Sequence, residues 1–250
     1  MQTIVNNATQ DQLYLGKNYA TMQPVSRQIG QGDSFVIGGD RETSVLQFVE
    51  LVLHNRIEQG TGFFFIDNGN DGVYLCGLKL MAKHLGREQD LLIKYDFNFD
   101  IAECLASNKM VYIALDASVD NTGYLDQFVY DLRHHLLEVL KAEEKELVSA
   151  VFTNSCEAIM SERWGHLHEV GNMKNPQLNI VHVSERPEQI NNVIISNTKE
   201  KVLFKLDETK LTAKESSLNY IKNLSDLLNS LGNRDYIHVT INGEARMSFR

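Results

Sequence analysis

Asp33-Ser-Phe-Val-Ile-Gly-Gly-Asp-Arg-Glu-Thr-Ser-Val-Leu-Gln-Phe48 sets the architecture of this chain. A short apolar strand ends in Gly38-Gly39, and a strongly apolar helix starts near Ser44. A strand that turns through glycine straight into a helix is the opening unit of a parallel, helix-covered sheet. The pattern recurs outward from it. Strands are predicted at Ser34–Ile37, Phe63–Asp67, Leu91–Tyr95, Met110–Leu115, Val148–Thr153, Leu178–Val183 and Lys201–Leu206. These runs are nearly all apolar, as strands covered on both faces must be. Helices are predicted at Ser44–Gln59, Asp71–Leu85, Tyr124–Lys141, Ser161–Met173, Pro187–Ser196 and Lys214–Leu231. Tyr236–Ile241, the Asn242-Gly243 turn and Ala245–Phe249 read as a C-terminal β-hairpin. The expectation is an α/β domain over residues 33–250 with a mostly parallel sheet and helices on both faces. Residues 1–32 form a leader whose segment Tyr14–Val25 makes an edge hairpin.

Composition sets the function classes. The 250 residues are 43% hydrophobic, enough for one α/β domain with a large core. The net charge of −9 argues against stand-alone nucleic-acid binding, which needs clustered Lys and Arg to neutralise phosphates. Cys76, Cys104 and Cys156 form no C-x-x-C pair and read as reduced thiols. Met1-Gln-Thr-Ile-Val5 lacks the basic and apolar parts of a signal peptide. No stretch approaches the roughly 20 apolar residues of a membrane span. A cytoplasmic protein is expected, one able to sit peripherally on an inner-membrane machine.

The stretch around Gly38 resembles the phosphate-binding loop of P-loop ATPases with its binding residues removed. A working loop reads G-x-x-x-x-G-K-[ST]: its backbone N–H groups wrap the phosphates, its Lys reaches the outer ones, and its Ser/Thr hydroxyl holds Mg²⁺. Gly38 and Ser44 fill the first and last positions. The second Gly is absent, the spacing is one residue short, and the Lys is either replaced by Thr43 or deleted. Asp40 and Glu42 lie in the loop instead. Either carboxylate sits at the positive end of the helix, where phosphate would otherwise bind, or the loop is a plain solvated acidic turn.

Further phrases, in order, resemble the nucleotide-binding domain of type IV coupling proteins, a branch of the FtsK–HerA P-loop ATPases. Tyr14-Leu-Gly-Lys-Asn-Tyr-Ala-Thr-Met-Gln-Pro-Val25 matches the leader Y-L-G-x-x-x-x-T-x-x-P-V. Phe63-Phe-Phe-Ile-Asp-Asn-Gly-Asn-Asp71 stands where the family has a strand ending in D-P-K-G-D. Leu85-Gly-Arg-Glu-Gln-Asp-Leu-Leu-Ile93 matches L-G-R-x-x-D-L-L-x. Glu185-Arg-Pro-Glu-Gln-Ile190 resembles Q-R-P-x-Q-[LI], and Ile194–Leu206 resembles the phrase around Asn197 that follows it. The resemblance implies a RecA-like fold over nearly the whole chain. Its departures fall on chemistry. Asn154-Ser155 replaces the Asp-Glu pair expected after the strand Val148–Phe152, removing the acid that holds water on Mg²⁺ and the general base. The sensor Gln is Glu185.

Bland explanations stand beside the chemical ones. Gly38 and Gly39 either present N–H groups to an anion or simply make the turn. Ser44 and Gln47 match the S-x-x-Q capping box, which would satisfy the helix's own first amides. Asp67 and Asp71 either hold a metal or end a strand and cap the next helix. His166 and His168 are spaced i, i+2, which does not place two ligands on one helix face. No metal, catalytic residue or cofactor is therefore expected. Gly38, Gly39, Thr43, Ser44, Asn154, Ser155, Glu185 and Asn197 are read as remnants of a nucleotide site. The expected function is a pseudo-ATPase, a non-catalytic adaptor of a conjugation or type IV secretion coupling complex. It would bind protein partners, such as a coupling ATPase, with weak or no direct nucleic-acid binding. The alternative is a nucleotide-binding or slow ATPase module of a DNA or protein translocation machine.

Overall fold

The computed structural model describes residues 12–28, 34–40, 43–69, 72–116, 118–119, 122–141, 148–153, 178–185, 198, 200–206, 225–240 and 243–248. The strands are β1 (Gln12–Asn18), β2 (Pro24–Gln28), β3 (Ser34–Gly38), β4 (Phe63–Asn68), β5 (Leu91–Lys94), β6 (Met110–Leu115), β7 (Val148–Thr153), β8 (Leu178–Ser184), β9 (Glu200–Phe204), β10 (Asp235–Thr240) and β11 (Gly243–Ser248). The helices are α1 (Val45–Glu58), α2 (Val73–His84), α3 (Ile101–Ala106), α4 (Thr122–Lys141) and α5 (Ser225–Asn229). The strands form one sheet in the order β2-β1-β11-β10-β9-β3-β8-β7-β4-β6-β5. From β9 to β5 every neighbouring pair is parallel. From β2 to β9 the pairs are antiparallel.

Side-chain alternation along the apolar strands divides the core into two layers. Phe63, Phe65 and Tyr112 pack with Phe48, Val52 and Leu78 of α1 and α2. Phe64, Ile66, Val111 and Ile113 pack on the opposite face with Leu105 of α3 and Leu125, Phe128 and Leu132 of α4. The expected α/β class, with helices on both faces, is therefore what the chain adopts. A smaller cluster joins Leu228 and Leu231 to Leu203, Leu206 and Ile237. Of the predicted helix Lys214–Leu231, only α5 and the residues after it lie among those described. The predicted helices Ser161–Met173 and Pro187–Ser196, with His166 and His168, lie outside them. The N-terminal hairpin joins the sheet through β11, and the buried Tyr236 hydroxyl donates to the Leu15 carbonyl.

Helix boundaries bring three corrections. Ser44 precedes α1 with φ −80° and ψ 24° and makes no side-chain cap bond, and Gln47 is exposed. An N-cap side chain reaches the helix amides from an extended backbone; Ser44 is too near helical geometry to do so. The residue before α2 is Gly72, in left-handed conformation, and not Asp71, which lies outside the described residues. The helix α3 was not expected at all, yet it carries a cap signal: the Asp100 carboxylate accepts from the Glu103 amide at 2.9 Å.

The phrase Leu85–Ile93 has a structural explanation. Gly86 takes φ +69° just past α2, a conformation glycine adopts without steric cost. This turn delivers Arg87, whose guanidinium donates to the carbonyls of Asn108 (2.9 Å) and Thr61 (3.2 Å). It also pairs with Asp90 at 3.0 Å, and Lys109 reaches the same carboxylate at 3.2 Å. Burial pushes the Asp90 carboxyl up, but the hydrogen bonds and charges of Arg87 and Lys109 outweigh it and leave the pKa lowered. A lowered native pKa stabilises the fold fully above the unfolded carboxylate value of about 4 and loses that contribution as pH falls through the native one. Urea melts between about pH 6 and pH 3 should therefore show wild type losing more stability than Asp90→Asn. Parallel curves for the two proteins would remove Asp90 from the acid response.

Candidate functional site

Parallel pairing brings the C-terminal ends of β3, β8, β7 and β4 to one edge. The register aligns Gly38 with Ser184, Val183 with Thr153, and Thr153 with Asp67. Beyond that level the chain leaves β3 through Gly39 and Asp40 and enters α1. A cavity of about 300 Å³ opens there, between this loop, the first turns of α1 and α2, and the ends of β7 and β8. In open α/β sheets this edge is where ligands bind.

The loop is tied down by backbone hydrogen bonds, one within it and three to neighbouring segments. The Gly39 amide donates to the Ser184 carbonyl at 3.4 Å, and the Asp40 amide to Lys205 at 3.1 Å. The Thr43 amide returns to the Asp40 carbonyl at 3.0 Å, and the Ser44 amide reaches Asn233 at 2.9 Å. Every described amide from Gly39 to Ser44 thus has a protein acceptor; Arg41 and Glu42 lie outside the described residues. Thr43 donates its hydroxyl to the Asp40 carbonyl at 2.6 Å. Gly39 is needed for space. A Cβ there would lie 2.6 Å from Phe204 Cβ and 2.8 Å from both Thr43 Oγ1 and a Val45 methyl.

The described lining of the cavity carries charge of one sign. Asp40 and Glu185 line it with Thr153, Ser184 and Tyr74, and among the described residues no Lys, Arg or His lines it. Glu185 follows β8 directly and lines the cavity wall. Asn154 and Ser155 follow Thr153, and they and Asn197 lie outside the described residues.

Sequence reading missed the polar cluster beside the cavity. Asp67 is 2% exposed. Its carboxylate accepts from the Tyr112 hydroxyl and from Thr153 Oγ1 at 3.2 Å. Thr153 also lies 3.3 Å from the Ile66 carbonyl. Among the described residues, no group of His, Cys, Asp and Glu is arranged to hold a metal ion. One signal for the cluster was present: Tyr112 is the one polar-tipped side chain in an otherwise apolar strand, and a buried hydroxyl needs a partner.

This arrangement of a glycine turn entering a helix, with a second strand between the loop strand and β7, has clear structural relatives. The chain has the fold of a P-loop ATPase domain. It superposes on the genome packaging NTPase B204 of Sulfolobus turreted icosahedral virus 2, solved with AMPPCP, with a TM-score of 0.60 at 7% identity. That match covers 88% of this chain and 98% of the other. VirB4 of Thermoanaerobacter pseudethanolicus aligns with a TM-score of 0.59 at 11% identity, over 95% of this chain and 96% of that one. The pCW3 conjugation coupling protein TcpA, solved with ATPγS, gives 0.57 at 10% identity over 97% and 67%. At the level of sequence, no family model and no curated protein matches the chain. Among the described residues, no helix is long and apolar enough to cross a membrane.

Proposed function

We propose that the chain is a non-catalytic P-loop-fold subunit that works by binding protein partners. Its setting would be a conjugation or type IV secretion machine, beside a coupling ATPase. The observation that carries this reading is the closed loop. A phosphate cradle needs backbone amides turned outward and a cation at its centre. Here the described loop amides donate to protein carbonyls, and the cavity lining carries Asp40 and Glu185 with no cation among the described residues. A triphosphate entering it would meet negative charge and find few donors. The Asn154-Ser155 and Glu185 replacements support the same reading, since phosphoryl transfer is almost wholly positioning and charge stabilisation. The conjugation coupling protein and VirB4 among the structural neighbours support the setting. The net charge of −9 supports weak or no direct binding to nucleic acid.

Calorimetry and phosphate release with Mg-ATP test the proposal. The wild type is expected to show no binding at micromolar nucleotide and no Mg²⁺-dependent turnover above background. Thr43→Lys alone should not change this, because the loop stays one residue short and its amides stay engaged. Grafting a full G-x-x-x-x-G-K-S loop is expected to restore binding but not hydrolysis, which still lacks the acids after β7. Micromolar Mg-ATP binding by the wild type would overturn the proposal.

A further inference from the structure

A second cavity, about 600 Å³, lies away from the loop on the α3 and α4 face of the sheet. It shares no lining residue with the cavity beside Gly39. One wall is the segment Tyr95-Asp-Phe-Asn-Phe99 between β5 and α3. The other is a single face of α4, where Tyr124, Gln127, Phe128 and Asp131 recur at helical spacing. Phe128 is the floor, 2% exposed and held by Phe64 and Phe97 at centroid distances of 5.7 and 5.0 Å. Tyr95 and Tyr124 form the rim and are 73% and 64% exposed. Large aromatics left this open beside a cavity mark a recognition surface more often than a packing defect.

The polar groups specify the ligand's charge. Asp96 and Asp131 line the cavity, and among the described residues no Lys, Arg or His does. Asp96 accepts the Asn98 amide at 3.0 Å, and Asp131 accepts the Gln127 side-chain amide at 2.8 Å. Neither forms an ion pair among the described residues. Each ionised carboxylate can accept several more hydrogen bonds. Aromatic faces with carboxylates beside them attract a cation that is flat and a multiple donor. A phosphate or nucleic acid would be repelled, and a purely apolar ligand would leave the remaining acceptor capacity of both carboxylates unused.

We propose that this cavity receives an arginine side chain from a protein partner, its guanidinium stacked on the Tyr95 and Tyr124 rings and hydrogen-bonded to Asp96 and Asp131. The inference goes beyond the reading of the loop and holds whether or not that loop binds nucleotide.

An acetylated, amidated Gly-Arg-Gly-Arg-Gly peptide, titrated into the isotope-labelled chain by NMR, tests it. Expected shifts fall on residues 95–99 and 124–131. Replacing both arginines by citrulline, a neutral isostere, should weaken binding about fivefold or more. Tyr124→Ala and Asp131→Asn should each weaken it by a similar factor, with unchanged melting temperatures. If a helix variant does not fold, Tyr95→Ala, on the open loop, stands in for it. Equal binding of the citrulline peptide, shifts confined to other surfaces, or no shifts at millimolar peptide would each overturn the proposal.

Discussion

Phe48→Ala is expected to lower the free energy of unfolding by about 3–5 kcal/mol, the range for removing a fully buried aromatic ring. Phe48 is inaccessible to solvent and projects from the first turn of α1. Its ring meets Phe35 of β3, Phe204 of β9 and Tyr236 of β10 edge-on, at centroid distances of 6.4, 6.3 and 5.6 Å. Edge-to-face pairs of this kind add to the burial itself. The ring therefore locks α1 to three strands that are far apart in sequence, and it does so one turn beyond the loop. Relaxation into the space is limited because Gly39 already lies against Phe204 and Val45. Urea denaturation should show the loss as a fall in midpoint at unchanged slope. The neighbouring Gln47→Ala, at an exposed position, should fall within about 0.5 kcal/mol of wild type. A Phe48→Ala cost below about 1 kcal/mol would mean the cluster does not anchor the loop helix.

The parallel half of the sheet was legible because its strands are unbroken apolar runs. Met110–Leu115 and Val148–Thr153 match their predicted bounds, and the hairpin around Asn242-Gly243 forms between β10 and β11. The helix α3 escaped notice because six residues are too few to show helical periodicity. Its Asp100 and Glu103 were the visible signal. Ser44 misled for the opposite reason: the motif S-x-x-Q was there, but backbone dihedrals decide whether a cap forms, and a sequence does not show them. The order of strands was also hidden. Only the sheet reveals that Glu185 lies beside Gly39, or that Gly39 must lack a side chain because Phe204 occupies its space. Nor does the linear sequence show that the aromatic segment Tyr95–Phe99 and one face of α4 line a common cavity.

The same long-range pairing governs Asp67, and Asp67→Ala is expected to cost about 2–4 kcal/mol. Its carboxylate accepts from Tyr112, 45 residues away, and from Thr153, 86 residues away. Both donors are buried. Deleting the acceptor removes the Asp67 partner of both hydroxyls, and the deficit falls mainly on Tyr112, because Thr153 keeps the Ile66 carbonyl within reach. A buried donor that loses its acceptor costs more than a hydrogen bond contributes, whereas removing both partners together is nearly neutral. The double variant Asp67→Ala, Tyr112→Phe should therefore be more stable than the single Asp67→Ala. A metal-binding Asp67 predicts otherwise: Mg²⁺ would raise the melting temperature of the wild type and leave Asp67→Ala unmoved. The structural account requires no Mg²⁺ effect on either protein and a positive coupling between the two substitutions. Additive costs, or a Mg²⁺-dependent gain confined to the wild type, would return Asp67 to the candidate site as a ligand. With the expected outcome, this carboxylate holds β4, β6 and β7 in register beside the cavity at the strand ends.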